Sequence, residues 1–153
     1  MGWFFGSKLL IIINDRGEIV QWQLTQVNTD DRTPLKNNKF TEEIFGKLVA
    51  DKGYILQSLF EELIVDDIHL ITRIRKNMKN SLIHLRDKIL LRKRSLVETV
   101  NDELKNIVQI EHTRHRSIGG CAANLMAAMA VYSFLPKKPS LNIEIIERER
   151  RIA

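Results

Sequence analysis

The order of apolar segments along the chain predicts an α/β protein. Two β-rich runs, 8–14 and 18–25, come first and are separated by a turn sequence. A short apolar run, 47–51, then precedes a stretch with helical spacing, 54–65, and another β-rich run, 68–74. Strands and helices that alternate in this way form layered α/β structures. At 153 residues the chain fits one such domain.

The two N-terminal runs predict a β-hairpin, because Asn14-Asp15-Arg16-Gly17 reads as a tight turn. The first run is nearly all apolar, as expected of a strand that is buried on both faces. A polar, turn-prone stretch follows over 26–34. Beyond it we predict a helix that extends to about Phe45 and is ended by Gly46.

The run 47–51 predicts a short central strand with Asp51 at its C-terminal end, where open α/β sheets commonly present functional residues. Gly53 lets the chain turn before the amphipathic helix predicted over 54–65. A strand over 68–74 follows. Helical spacing then predicts one helix over about 81–110 and another over 117–134, which ends before Pro136. We expect one domain over 1–135 and a charged tail over 136–153.

A row of polar side chains lies on one face of the helix predicted over 81–110. At about 100° per residue, Arg94, Glu98, Asn101 and Lys105 fall within about 60° of one another. The apolar residues form a separate stripe, which consists of Leu96, Val97, Val100, Leu104, Ile107 and Val108. Burial of that stripe would hold the polar row beside a cleft. One acid between bases suits the joint binding of a metal ion and a phosphate.

Composition excludes several classes of protein. One cysteine, Cys121, allows no internal disulfide framework and no Cys-rich zinc site, which favours a reducing, cytoplasmic setting. No apolar run reaches the roughly 20 residues that cross a bilayer, and the sequence has no signal-peptide pattern, so we expect neither a membrane partner nor secretion.

The positive charge is concentrated in one segment. Nine cations and one acid, Asp87, lie between Thr72 and Arg94. Such a block is suited to a phosphate backbone, although a solvated surface would have the same composition. Because this segment directly precedes the polar row that contains Glu98, we favour the interpretation that it contacts DNA.

Two short motifs occur in order along the chain. Asp51-Lys52-Gly53-Tyr54 contains Asp-x-Gly-Tyr, and Arg94, Glu98 and Lys105 follow the spacing Arg-x3-Glu-x6-Lys. Together they resemble bacterial insertion-sequence transposases of the DDE type. In that family the second catalytic Asp lies in the first motif, and the third catalytic acid is the Glu of Tyr-x2-Arg-x3-Glu-x6-Lys. Leu91 stands where the Tyr is expected. The resemblance runs from Trp3 to about Tyr132.

The resemblance implies an RNase H-like (retroviral-integrase-like) fold, with a mixed sheet flanked by helices. It implies that Asp51 and Glu98 are catalytic and hold Mg²⁺ or Mn²⁺, with no other cofactor. Family enzymes hold two ions, one activating the nucleophile and one stabilising the leaving oxygen. DNA is the implied partner. The residues expected to contact it are Arg73, Arg75, Lys76, Lys79, Arg92, Lys93, Arg94 and Lys105.

The family's first catalytic Asp precedes the region that resembles Trp3-Phe4-Phe5-Gly6, and only Met1 and Gly2 stand there in this sequence. We therefore expect an N-terminally truncated, partial catalytic domain over 1–135 with little or no activity alone. Asp15 lies in the hairpin turn, and Asp30 and Asp31 lie in a polar loop, so all three are weak substitutes for the missing acid.

Three functions follow from these expectations. The first is an incomplete, inactive copy of a DNA transposase, in the bacterial cytoplasm and associated with the nucleoid. The second is a non-catalytic DNA-binding remnant that associates with or inhibits intact transposase, or forms a homo-oligomer. The third, another RNase H-like nuclease, needs a third nearby acid. Taken singly, Asp51 reads as a capping acid and Glu98 as an ion-pair partner of Arg94.

Overall fold

A computed structural model describes residues 6–73, 85–92, 94–110 and 117–141 of the chain. Within these ranges the strands are β1 (Ser7–Ile13), β2 (Ile19–Gln26), β3 (Gly46–Ala50) and β4 (Ile68–Thr72). The helices are α1 (Asn38–Thr41), α2 (Gln57–Val65), α3 (Leu85–Arg92), α4 (Ser95–Asn106) and α5 (Ile118–Ser133). Two single 3-10 turns cover Pro34–Lys36 and Lys52–Tyr54.

The predicted hairpin is confirmed. β1 pairs antiparallel with β2, and the register shifts between Ile12 and Ile13. The Asn14 side chain fixes the turn, because its Oδ1 accepts from the backbone N–H groups of Arg16 and Glu18 at 3.0 and 2.9 Å. Gly17 has a φ of +71°, in the left-handed region that glycine tolerates best.

The predicted strand-helix-strand unit is also present. β3 and β4 pair in parallel, and α2 connects them and packs against β4. Parallel strands need such a crossover connection, because a tight turn would place the second strand antiparallel to the first. Gly46, with a φ of +81°, begins β3, and its N–H bonds to the Asp67 carbonyl at 3.0 Å.

Antiparallel and parallel pairing both occur, as a mixed sheet requires, but the described strands form two separate pairs. Side-chain packing, rather than a strand ladder, joins β1 to the β3–β4 pair. Leu10 and Ile12 pack against the same hydrophobic cluster as Leu48 and Ala50 of β3.

β1 contributes to two hydrophobic clusters, one from each face. Leu10 and Ile12 contact the first cluster, whose buried members are Leu35, Phe40, Leu59, Leu63, Ile68 and Leu70. Its odd-numbered residues Ile11 and Ile13 contact the second, built on Val100, Leu104 and Tyr132. Alternate side chains of a strand point to opposite faces, so the prediction of a strand covered on both faces is confirmed.

Two helices begin or end elsewhere than predicted. The segment that leads to Phe45 forms only the 3-10 turn at 34–36 and the single helical turn of α1, capped by Asn37. α2 begins at Gln57 rather than Tyr54, because Asp51 caps a separate 3-10 turn and Leu56 is extended. The turn matters for the site, since it orients the Asp51 carboxylate.

The single helix predicted over 81–110 is wrong. α3 ends at Arg92 and α4 begins at Ser95. The two helices pack on different surfaces: α3 contacts β4, whereas α4 places Val100 and Leu104 in the second cluster. A break between α3 and α4 allows each helix to pack against its own set of partners.

The end of α4 also departs from prediction. Gln109 has a φ of +56°, and the turn that it makes allows the Ile110 N–H to bond to the Leu104 carbonyl at 3.1 Å. Ile107 is 59% exposed, so it lies outside the stripe predicted to be buried.

The chain after α5 returns to the hairpin turn. The buried Tyr132 hydroxyl donates to the Gly17 carbonyl at 2.8 Å, and the Leu141 N–H donates to the Asp15 carbonyl at 2.9 Å. The Lys138 Nζ donates to the Ser133 and Leu135 carbonyls at the end of α5. Residues 137–141 of the predicted tail therefore lie against the domain, and 142–153 lie outside the described residues.

In the described ranges, no helix combines the length and apolar character needed to cross a membrane.

We predict that Tyr132→Phe lowers the free energy of unfolding by about 1–2 kcal/mol at neutral pH, because it leaves the buried Gly17 carbonyl without its donor. Burial raises the pKa of Tyr132 to about 12, and the Glu103 charge adds to the rise. Since the unfolded pKa is about 10, this stabilisation is present below about pH 10 and is lost as the pH rises towards 12. Urea unfolding should show that the free energies of unfolding of Tyr132→Phe and the unmodified chain converge at high pH. Equal stability at neutral pH would contradict this role.

Gly17→Ala should destabilise the fold by about 1–2 kcal/mol or more, because its φ is left-handed and the new Cβ would collide with the Pro139 carbonyl oxygen. Gly119→Ala is the matched control. That position is exposed in α5 with open space around it, so alanine should be neutral or stabilising by up to about 1 kcal/mol. Thermal unfolding compares the two, and similar effects would argue against the contact between the hairpin turn and residues 137–141.

Candidate functional site

Asp51 follows β3 directly and caps the 3-10 turn that begins at Lys52. Its Oδ1 accepts from the Lys52 backbone N–H at 2.7 Å. The carboxylate remains 61% exposed, so the cap orients it without removing it from solvent. The predicted position at the C-terminal end of a strand is therefore confirmed, as is the capping role.

Arg94 brings Asp51 and Glu98 together. Its Nη1 donates to Asp51 Oδ1 at 2.5 Å, and its Nη2 donates to Glu98 Oε1 at 3.4 Å. Glu98 lies in the first turn of α4, where the helix dipole also favours a negative charge. One guanidinium thus joins an acid that follows β3 to an acid on α4, 47 residues further along the chain.

The carboxylates are more accessible than the guanidinium. The Glu98 side chain is 63% exposed and that of Asp51 61%, whereas that of Arg94 is 28% exposed. The Lys52 N–H, followed by the charge and hydrogen bond of Arg94, lowers the pKa of Asp51, while slight desolvation opposes the shift. Asp51 is therefore held as the anion.

The rest of the polar row borders a cavity of about 400 Å³. Asn101 and Lys105 lie on its α4 side, beside the buried Leu104. β1, β2 and α5 complete the wall with polar and apolar residues that include Ser7, Leu24, Cys121 and Asn124. The placement beside a cleft that helical spacing predicted is confirmed for Asn101 and Lys105, whereas Arg94 instead contacts Asp51 and Glu98.

The predicted DNA-contacting cations are placed only in part. Arg73 is exposed directly after β4, and Arg92 is exposed at the end of α3. Lys105 is exposed on α4. Arg75, Lys76, Lys79 and Lys93 lie outside the described residues. A pair that sequence reasoning missed, Lys47 and Asp87 at 2.6 Å, ties β3 to α3.

The other acids considered for the site have different partners. Asp31 pairs with Lys8 at 2.6 Å, Asp30 pairs with Arg32, and Asp15 lies in the hairpin turn. The sequence indicated Tyr54 only as a member of the Asp-x-Gly-Tyr motif. In the structure its hydroxyl lies near enough to Asp31, Asp51 and Asp30 to be affected by their charges. Burial raises the pKa of Tyr54 to about 12, and the charges of Asp31, Asp51 and Asp30 add to the rise.

Two carboxylates that meet at one cation have the right chemistry for a hard divalent ion, since Mg²⁺ binds through one or two carboxylates and completes its shell with water and phosphate. In the described ranges, no cluster of three or more His, Cys, Asp or Glu residues could hold a metal. Asp51 and Glu98 therefore fit part of a metal site.

Comparison with known proteins gives one finding that bears on this site. The model of a transposase DDE domain matches residues 1–118, a range that includes Asp51, Glu98 and Lys105. The match confirms the resemblance to DDE-type transposases. No curated protein and no solved structure matches the chain.

We predict that Arg94→Gln raises the pKa of Asp51 towards its ordinary value but not fully to it, because the Lys52 N–H bond persists. Carboxyl ¹³C NMR between about pH 2 and about pH 6 measures the shift. Arg16→Gln is the matched control, since Arg16 is an exposed residue of the hairpin turn. If the pKa of Asp51 is the same in Arg94→Gln as in the unmodified chain, the ion pair with Arg94 does not affect the Asp51 carboxylate in solution.

Proposed function

Because this chain belongs to the transposase DDE-domain family, we propose that it supplies two of the carboxylates with which such an enzyme cuts and joins DNA at the ends of a bacterial insertion sequence. The observation that carries the proposal is the contact of Asp51 and Glu98 with one guanidinium. The fold brings two acids that are 47 residues apart in the sequence to one side chain.

The proposed architecture is RNase H-like. An antiparallel hairpin, a parallel strand-helix-strand unit and helices that cover both faces of β1 support it. In this arrangement Asp51 follows a strand, Glu98 projects from a helix, and the two meet at the edge of the domain.

Asp51 and Glu98 would hold Mg²⁺ or Mn²⁺, which would supply nucleophile activation and stabilisation of the leaving oxygen. The cap from Lys52 orients the Asp51 carboxylate, and the first turn of α4 orients Glu98. Arg94 keeps the two anions together despite their mutual repulsion.

DNA is the proposed substrate, and the cations that precede and follow Glu98 in the sequence would position its backbone. Arg73 directly follows β4, and Arg92 is the last residue of α3. Arg94 directly precedes α4, and Lys105 lies in its last turn. Arg75, Lys76, Lys79 and Lys93 extend the same charged stretch of sequence. Such contacts fix the position of the backbone without reading the bases.

The residues described here supply two acids where the family's chemistry uses three, so we propose that this chain cleaves DNA little or not at all by itself. A third carboxylate from another polypeptide segment, a second copy or a full-length transposase would complete the site. The other candidate function, a DNA-binding remnant that interferes with intact transposase, uses the same cations. Its effect on the cleavage rate of intact transposase distinguishes it.

We predict that the chain binds a fluorescently labelled DNA duplex with strong salt dependence, and that Mg²⁺ or Mn²⁺ produces no strand cleavage. Arg73→Gln should weaken binding and reduce the slope of log affinity against log salt by about 1, because one phosphate contact is lost. Fluorescence anisotropy measures binding, and denaturing gels measure cleavage. Arg16→Gln is the matched control for DNA binding.

The same assay includes Glu98→Gln. Metal-dependent cleavage that Glu98→Gln abolishes would contradict the expected inactivity and would mean that the chain completes its own site. If the folded chain does not bind DNA at low salt, the proposed function fails. If it lowers the cleavage rate of an added intact transposase, the remnant function gains support.

A further inference from the structure

The guanidinium of Arg94 lies where a cation would bind. Each of its terminal nitrogens bonds to a different carboxylate, at 2.5 Å to Asp51 Oδ1 and at 3.4 Å to Glu98 Oε1. These carboxylate groups are the same two that are proposed to hold the metal ion. A hydrogen bond from Arg94 and a bond to a metal ion compete for the lone pairs of a carboxylate oxygen.

Burial and sequence position allow Arg94 to exchange partners. Its side chain is 28% exposed, so the guanidinium can reach solvent, and the acids that it joins are about 60% exposed. Arg94 stands just before the first turn of α4 and makes no side-chain cap of that helix. Its release from the acids therefore need not unfold α4.

A phosphate is the natural alternative partner for this side chain. The guanidinium fork binds phosphate oxygens in pairs, and such charge-assisted bonds are stronger than those between neutral groups. The exposed cations Arg92 and Lys105 lie in the sequence on either side of Glu98, and both are proposed to contact the DNA backbone.

We propose that Arg94 is an internal counter-cation that competes with the divalent metal ion for Asp51 and Glu98, and that a DNA phosphate relieves the competition by binding the Arg94 guanidinium. The inference rests on the proposed function, because it assumes that these acids hold a metal ion. It adds a coupling: metal ion and DNA each strengthen the binding of the other, and linkage requires the coupling to be reciprocal. Without DNA, Arg94 keeps the acids paired and the metal affinity low.

The first test measures Mn²⁺ binding to the folded full chain without DNA, from the loss of the free-ion signal in electron paramagnetic resonance. Arg94→Gln should bind Mn²⁺ about two- to tenfold more tightly than the unmodified chain, a range set by the modest strength of exposed ion pairs. Arg94→Lys keeps the charge but loses the fork, so its affinity should lie between the two. Arg16→Gln is the charge-matched control and should bind Mn²⁺ as the unmodified chain does.

The second test repeats the titration with a short DNA duplex. The duplex should raise the Mn²⁺ affinity of the unmodified chain more than that of Arg94→Gln. Only the unmodified chain has an Arg94 guanidinium that the DNA phosphate can draw away from Asp51 and Glu98. The double variant Asp51→Asn with Glu98→Gln, mixed with the same duplex, measures the ions that bind the DNA itself.

The outcomes separate this inference from the proposed function. If the double variant loses Mn²⁺ binding but Arg94→Gln binds it no more tightly than the unmodified chain, the inference is overturned and the metal site stands. If neither the unmodified chain nor Arg94→Gln binds more Mn²⁺ than the double variant, the proposed metal site fails and the inference fails with it. Circular dichroism of each variant establishes that it is folded, and Arg94→Lys tests the competition should Arg94→Gln not fold.

Discussion

The fold depends on the burial of β1 from both sides. Leu10 and Ile12 lie against the cluster formed by the β3–α2–β4 unit, and Ile11 and Ile13 lie against the cluster formed by α4 and α5. A single strand therefore holds together two groups of elements that share no backbone ladder in the described part of the chain. Apolar burial on both faces supplies the cohesion that strand pairing does not.

The site follows from this arrangement. Asp51 belongs to the first group, because it directly follows β3, whose residues Leu48 and Ala50 pack against the first cluster. Glu98 belongs to the second, because it lies two residues before the buried Val100. Arg94 crosses the junction. The ion pairs are exposed and stabilise the fold only weakly, so their chief effect is to place charges.

The two carboxylates at the junction between these groups of elements remain accessible to solvent. The Asp51 carboxylate is oriented by a backbone N–H but keeps most of its exposure, and its lowered pKa keeps it ionised. The acids rejected as substitutes, Asp30 and Asp31, form ion pairs with neighbouring cations. Asp51 and Glu98 differ from them in sharing one cation, Arg94, which lies 43 residues after Asp51 and four residues before Glu98.

The sequence by itself determined the hairpin, the strand-helix-strand unit, the position of Asp51 and the polar row from Arg94 to Lys105, because these depend on short-range periodicity and turn chemistry. The tertiary structure decided the break between α3 and α4, the exposure of Ile107 and the contact of Arg94 with Asp51. Those features depend on which surface each helix packs against, and helical spacing carries no information about a partner 43 residues away.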